Sequence, residues 1–472
     1  MSEQKENNVV TSSKDNYQNT EGNVEIIENE EKTYKNKDSN SENRKERSSS
    51  NTTIIRGALM ITNLCLGVSI FTFAIRVKYF GLVWFVLSCI LVGGVTYWSI
   101  MRGVIASSKN EEDDYSELTE KILGKKIRII LNIIIIIYTY AVIMMFLALI
   151  YALFGRFIHS VGYTNKYEHY EKFNEEIWGK PYIKFPVYIG MALGLSLMCL
   201  IKDMNKLNFA SYIGVFAVIY SLFVVLVECK NYYELYKKEK YIKEDKNTHP
   251  NWINLSKAFT KKLEFFKGLA SLFCANAIHP GTFPVFVGFK YQKEGLKKMK
   301  LATFFGTLLT TGLYALSMII SYLTNPYDPE DLIIYRKSKG GKDIAMIIAK
   351  LFVSLSIIFT IPPTYFPLRL SIANSFTKGI ISTKFNIIFT FISCYACAAI
   401  ASVYDKILNY LSYIGGFLSV FICYLIPILL YIYTSGKPIT YWKNIIEITA
   451  AVILCIIGFM GGIITIIDDV TN

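Results

Sequence analysis

Two short stretches carry residue types whose spacing could do chemistry. Asn63-Leu-Cys-Leu-Gly67-Val68-Ser69 sits in the middle of one apolar run, and Ile278-His279-Pro280-Gly281-Thr-Phe-Pro284 in the middle of another. Glycine is entropically costly inside a helix, and proline removes an N–H and clashes with the preceding turn. If the first run unwinds at Gly67, a new helix begins near Val68 and Ser69 with free N–H groups and a positive dipole end, which suits a carboxylate without any basic side chain. The carbonyls released near Thr62 to Leu66 then suit a cation or an ammonium group. A close contact between helices at small residues accounts for Gly67 and Ser69 equally well. In the second run, Phe273 and Asn276 lie six and three residues before His279 and are expected to shape a side-chain pocket. For His279 itself, a neutral imidazole bonded to the backbone stands beside a substrate contact or a proton-sensitive gate.

A third constellation is Thr360-Ile-Pro362-Pro363-Thr364-Tyr-Phe-Pro367-Leu-Arg369. Its prolines loosen a helix where Thr360 and Thr364 offer hydroxyl oxygens, ligands that a hard cation such as sodium accepts. Arg369 is expected to snorkel to a membrane interface, as are Arg76 and Lys78 at the end of the first run.

The elements that must position these groups are membrane spans. The chain has 472 residues, 52% of them hydrophobic and 15% aromatic, with a mean hydropathy of +0.34. Its apolar runs are near the ~20 residues that a helix needs to cross the bilayer core. Long runs such as Ile129–Leu153 exclude the alternating pattern of a β-barrel. Eleven helical spans are expected, at 56–77, 80–105, 127–155, 182–201, 207–228, 263–289, 301–323, 343–367, 385–403, 408–433 and 443–467. The two interrupted spans are the first and the sixth, equivalent places in two halves. Paired interruptions of this kind are the sequence pointer to a midplane site in inverted-repeat transporters.

Residues 1–52 hold no apolar run and read as a disordered tail, expected on the cytosolic side. An odd number of spans then puts the C-terminus opposite, and Asn254-Leu-Ser256 becomes a possible glycosylation acceptor on an outer loop. The net charge of +13 resides in loops between spans and reads as solvation and contact with lipid headgroups, not as a nucleic-acid surface. Eight of the nine cysteines fall inside spans, so no disulfide framework follows, and Cys394-Tyr-Ala-Cys397 reads as packing. The four histidines are dispersed, no phosphate-binding loop or hydrolase motif is present, and no enzyme activity is expected. The loops at 156–181, 229–262 and 324–342 are too short and polar for a soluble core.

Together, Asn63-x-x-x-Gly67, Ile278-His279-Pro280-x-x-x-Pro284, Ser321-Tyr-Leu-Thr324 and Thr360-x-Pro362-x-x-x-Phe366-Pro367-x-Arg369 resemble the amino acid/auxin permease family. Gly81, Tyr115-x-Glu117-Leu118, Gly415, Pro427 and Ile467-Asp468 match as well, over about residues 55–470. Within the family, the chain looks most like the sodium-coupled neutral amino acid transporters. Its Ile-, Asn- and Lys-heavy usage is similar to that of apicomplexan proteins. The resemblance implies an all-α membrane protein of five-plus-five inverted repeats (56–228 and 263–433) with an added helix at 443–467. It implies secondary active transport of amino acids by alternating access, coupled to sodium or protons, with no other cofactor. By the same resemblance Asn63 and Thr360 belong to the ion site, and the backbone at Gly67, Val68 and Ser69 to the substrate. Pro280, Gly281, Pro284, Pro362 and Pro367 would supply the breaks that gate it. Ser69 stands where the family's motif has a second glycine, and Val287-Gly288 where an acidic pair is frequent. Uniport, or an amino acid receptor signalling through its tail, is the alternative, and the plasma membrane or an internal acidic compartment the expected location.

Overall fold

Helix breaks appear where hydrocarbon would penalise them most. The computed structural model describes residues 52–66, 69–163, 170–200, 208–243, 263–325, 332–335, 343–376, 382–404 and 407–471. Residues 1–51 of the expected tail, the Asn254 acceptor and the residues Gly67 and Val68 lie outside this set, while Thr52, expected to end the tail, is buried and accepts from Gln292 at 3.2 Å. The first span is two short helices, α1 (Ile54–Cys65) and α2 (Ser69–Phe80). Thr53 caps α1, and Leu66 leaves helical geometry at ψ 67°. Gly81 then turns the chain at φ 85°, a left-handed conformation that glycine adopts without steric cost, into α3 (Leu82–Asn110).

Asp114 caps the short α4 (Tyr115–Leu123) by accepting hydrogen bonds from the backbone N–H groups of Ser116 and Glu117 at 2.8 and 3.0 Å. There follow α5 (Lys125–Ile158), α6 (Pro181–Cys199), α7 (Asn208–Val227) and α8 (Cys229–Lys243). The sixth span is again divided, into α9 (Glu264–Ala275) and α10 (His279–Lys290). Pro280 falls in the first turn of α10, where its missing N–H would have no helical partner anyway, so it starts a helix instead of bending one.

Beyond it run α11 (Gly295–Thr324), α12 (Ile344–Phe376) and α13 (Thr383–Val403). The tenth span is α14 (Ile407–Tyr413), two π-helical segments at Ile414–Ser419 and Phe421–Leu425, and α15 (Ile426–Thr434). The last is α16 (Trp442–Thr471). Pro362, Pro363 and Pro367 lie inside α12, which continues through them. The carbonyls of Ile358, Phe359 and Pro363, four residues earlier, therefore lose their helical donors.

Among the described residues nine helices are long and apolar enough to cross a membrane, and a tenth if Tyr212–Val227 and Cys229–Leu235, bent by 56°, form one span. The remaining expected span is α1 with α2, twelve residues each. The sixth span is the most enclosed, with 78% of its apolar window buried against 28% for Pro181–Cys199. Outward-facing Ile388, Ile392 and Ile400 on α13 and Ile446, Ile453 and Ile456 on α16 are half or more exposed, as lipid-facing side chains must be. The core thus surrounds the two divided spans. α11 packs along both α1 and α2, α12 along α5 and α7, and α9 along α16 and the first π segment.

The π segments widen the tenth span and release carbonyls that other helices use. Tyr115 donates to the Ile422 carbonyl at 2.7 Å, Ser99 to that of Cys423, and the Thr96 and Tyr424 hydroxyls pair at 3.0 Å. Burial pushes the Tyr115 hydroxyl well above its ordinary range, so it stays a donor at any physiological pH. Its ring stacks on Phe283 of α10 at 4.7 Å, tying α4 to the sixth span.

Candidate transport site

The arginines expected to snorkel are instead enclosed. Arg76 is 7% and Arg369 6% exposed. Where α2 ends and α9 begins, Arg76 pairs with Glu264 at 3.7 Å and donates to Ser412 at 3.1 Å. Lys267, also buried, pairs with Glu264 at 3.1 Å and with Asp468 of α16. Arg369 donates to the Cys199 carbonyl at 3.4 Å and lies over the Phe366 ring. Partners on distant helices make burial cheaper than a route to the headgroups, a choice that position along the span does not reveal. The side chain of Lys78 lies outside the described residues. Phe80 stacks on Phe265 at 4.5 Å beside the Arg76 network, so α2 and α9 are closed together at this end.

Glu264, 15% exposed, lies between two buried cations, whereas the Asp468 side chain is 42% exposed. Glu264→Gln should therefore cost about 2 kcal/mol, less than the ~3–5 of a fully buried pair, and Asp468→Asn under about 1. Melting of the purified protein in detergent measures the order of the two variants, and a larger loss for Asp468→Asn would contradict this account of the network.

A cleft whose open space, solvent at its mouth included, is about 640 Å³ lies between the two breaks. One wall is Leu64, Cys65 and Ser69 of the first span; another is Cys274, Ala275, Ala277, Ile278, Pro280 and Gly281 of the sixth. α5 contributes Tyr138, Thr139, Val142, Met145 and Phe146, and α12 contributes Pro363, Thr364 and Pro367. None of the described residues lining it is charged. A second cavity, of about 350 Å³, reaches Asp113, Asp114 and Tyr115 beside α4 and shares Pro280 and Pro367 with the first.

The expected site residues divide. Ser69 and Gly281 line the larger cavity, Pro284 the smaller and Pro280 and Pro367 both, while Phe273, Asn276, His279 and Pro362 line neither. Phe273 and His279 face the Tyr424 ring, at centroid distances of 5.4 and 6.1 Å, and Asn276 donates to the Leu272 carbonyl. The chain leaves helical geometry at Asn276, and the cavity wall passes from Cys274 and Ala275 to Ala277 and Ile278 through the break. His279 is 1% exposed, with both ring nitrogens lacking hydrogen bonds, so the expected backbone bond to the imidazole is not formed.

Sequence spacing missed the tyrosines. Tyr138 donates to the Ala277 carbonyl at 2.6 Å. Tyr314 of α11 donates to the Cys65 carbonyl at 2.5 Å and lies 3.0 Å from that of Ala275. The available signal for Tyr138 was a tyrosine–threonine pair closing the run Ile133–Ile137 deep in a span, where polar groups need a reason.

Asn63 and Ser356, the latter one turn before Thr360, come close beside a third helix. The Asn63 side-chain oxygen is buried without a hydrogen bond. It faces Gly214 of α7, where a Cβ would stand 2.0 Å from it and 3.2 Å from the Ser356 hydroxyl. Thr360, one turn beyond Ser356 on α12, donates to the Ser356 carbonyl at 2.8 Å. An unpaired buried amide oxygen costs about 1–3 kcal/mol and calls for an explanation. A small group of oxygens where α1, α7 and α12 meet, with Asn63 beside the cavity residue Leu64 and Thr360 one turn from the cavity residue Thr364, is a donor set that fits a hard cation.

The sequence matches the family model described as transmembrane amino acid transporter protein over residues 50–469. The chain belongs to this family. The transporter is thus an integral, multi-pass membrane protein whose substrates are amino acids.

Proposed function

We propose that the transporter carries α-amino acids with uncharged side chains by alternating access, coupled to sodium, around the cavity between the two breaks. The observation that carries this reading is the joining, in one place, of two helix breaks and a cavity whose described lining residues carry no charge. A zwitterion can be held there by the N-terminal amides of α2 at Ser69 and by carbonyls at the ends of α1 and α9. A lysine or glutamate side chain would enter without a countercharge and lose its hydration. Val142, Met145 and Phe146 would take the apolar side chain, with methionine adapting to its shape. The placing of the breaks in the first and sixth spans supports a five-plus-five inverted repeat. The closed contact of α2 with α9, together with the second cavity reaching α4, supports one state of a rocking cycle.

Asn63, Ser356 and Thr360 would hold the coupling sodium. In liposomes of purified protein, uptake of labelled leucine should follow an imposed sodium gradient. Asn63→Ala should lower it by about tenfold or more, the loss of one ligand of a charged group at about 1.5–3 kcal/mol. Uptake driven by a pH gradient, or by leucine alone, would replace sodium with protons or with uniport. Binding without flux would favour a receptor.

A further inference from the structure

The carbonyls of Cys65 and Ala275 are the last of α1 and α9, at corresponding points of the two breaks, and both residues line the cavity. Tyr314 is not among the lining residues. It is fully buried on α11 and reaches the two carbonyls with one hydroxyl, at 2.5 and 3.0 Å. Its ring is held edge-on against Phe73 of α2 at a centroid distance of 5.2 Å, so the same residue touches both halves of the first span and the end of α9.

A phenol has one proton, and each carbonyl has two lone pairs. Three oxygens therefore converge with a single hydrogen among them, and the hydroxyl cannot satisfy both carbonyls fully at once. An α-ammonium group brings three N–H donors and a positive charge. We propose that Tyr314 is a positioning residue that holds the Cys65 and Ala275 carbonyls as a matched pair of acceptors for the substrate's α-ammonium group. This rests on the transport reading above. A hydroxyl that only satisfied two helix ends would support the fold and leave substrate chemistry untouched, and the two roles differ in what they make of the amine.

The test compares leucine with 4-methylpentanoate, which has the same side chain and carboxylate but no amine. The KM of leucine uptake and the Ki of 4-methylpentanoate as its inhibitor are measured in liposomes for wild type and Tyr314→Phe. The KM for leucine should rise about tenfold, with kcat changed less than twofold, while the Ki of the des-amino acid stays within twofold. Tyr314→4-aminophenylalanine, which restores N–H donors at the same ring position, should recover most of the lost affinity and serves as the deciding variant if the phenylalanine protein does not fold. Equal loss for both compounds, or none for either, overturns the proposal while wild-type leucine uptake leaves the transport reading standing. Absence of leucine uptake and binding in the wild type would overturn both.

Discussion

Gly214→Ala should abolish ion-dependent uptake, lowering it roughly a hundredfold, while the protein stays folded. The new methyl group would stand 2.0 Å from the Asn63 side-chain oxygen and 3.2 Å from the Ser356 hydroxyl. The atoms in its way are ends of side chains, so the amide rotates and the backbone of α1 and α7 is spared. The rotation would withdraw one oxygen from the proposed sodium site and place carbon there. Losing one such contact to a charged group is worth up to about 3 kcal/mol, hence about two powers of ten. The check is sodium-driven leucine uptake in liposomes beside the melting temperature in detergent. Wild-type uptake with wild-type sodium dependence would remove Asn63 and Ser356 from the ion site.

Gly415→Ala should act on the fold instead, leaving little monodisperse protein. A Cβ there would lie 1.7 Å from the Ala270 carbonyl oxygen and 3.0 Å from the Cys274 N, both backbone atoms of α9. No side-chain rotation relieves this, so the π-helical segment must move off the half-helix that ends at the sixth break. Its neighbours leave no slack. Cβ atoms at Gly416 and Gly461 would meet the carbonyl oxygens of Gly458 and Phe266 at 2.6 and 2.3 Å. The cost should exceed the about 1–3 kcal/mol of ordinary overpacking. Gly94→Ala and Gly312→Ala serve as controls, since nothing lies within 4 Å of a Cβ at either. Both should melt at or above the wild-type temperature, because alanine is the better helix former. A Gly415→Ala protein that elutes and melts like wild type would contradict the backbone contact.

The breaks were legible in the sequence because of the solvent. Within hydrocarbon an unpaired backbone group costs several kcal/mol, so Gly67 and Pro280 in apolar runs announce a cavity or an enclosed interruption before any contact is known, whereas Gly281 and Pro284, expected to share in the break, lie inside α10, which continues through them. The apolar runs likewise announced the helical spans and, with Asn63 and Thr360, the elements that carry an oxygen cluster. The direction in which each side chain points after a break was not legible. Phe273 and His279, on either side of the break, turn toward Tyr424 and Asn276 bonds back to the Leu272 carbonyl, while Cys274, Ala277 and Ile278 meet the cavity, and a count of residues through an unwound turn does not say which of these it will be. Contacts between distant parts of the chain were hidden for a related reason. Nothing local to Arg76 foretells Glu264, nothing local to Gly214 foretells Asn63, and Tyr314 reveals its two carbonyls only when α11 lies across both breaks. By itself the sequence determined that this is a helical membrane protein with two interrupted spans, because burial in lipid acts on each segment separately. Only the tertiary structure decided which groups share the cavity and which pair away from it, because that depends on the packing of helices hundreds of residues apart.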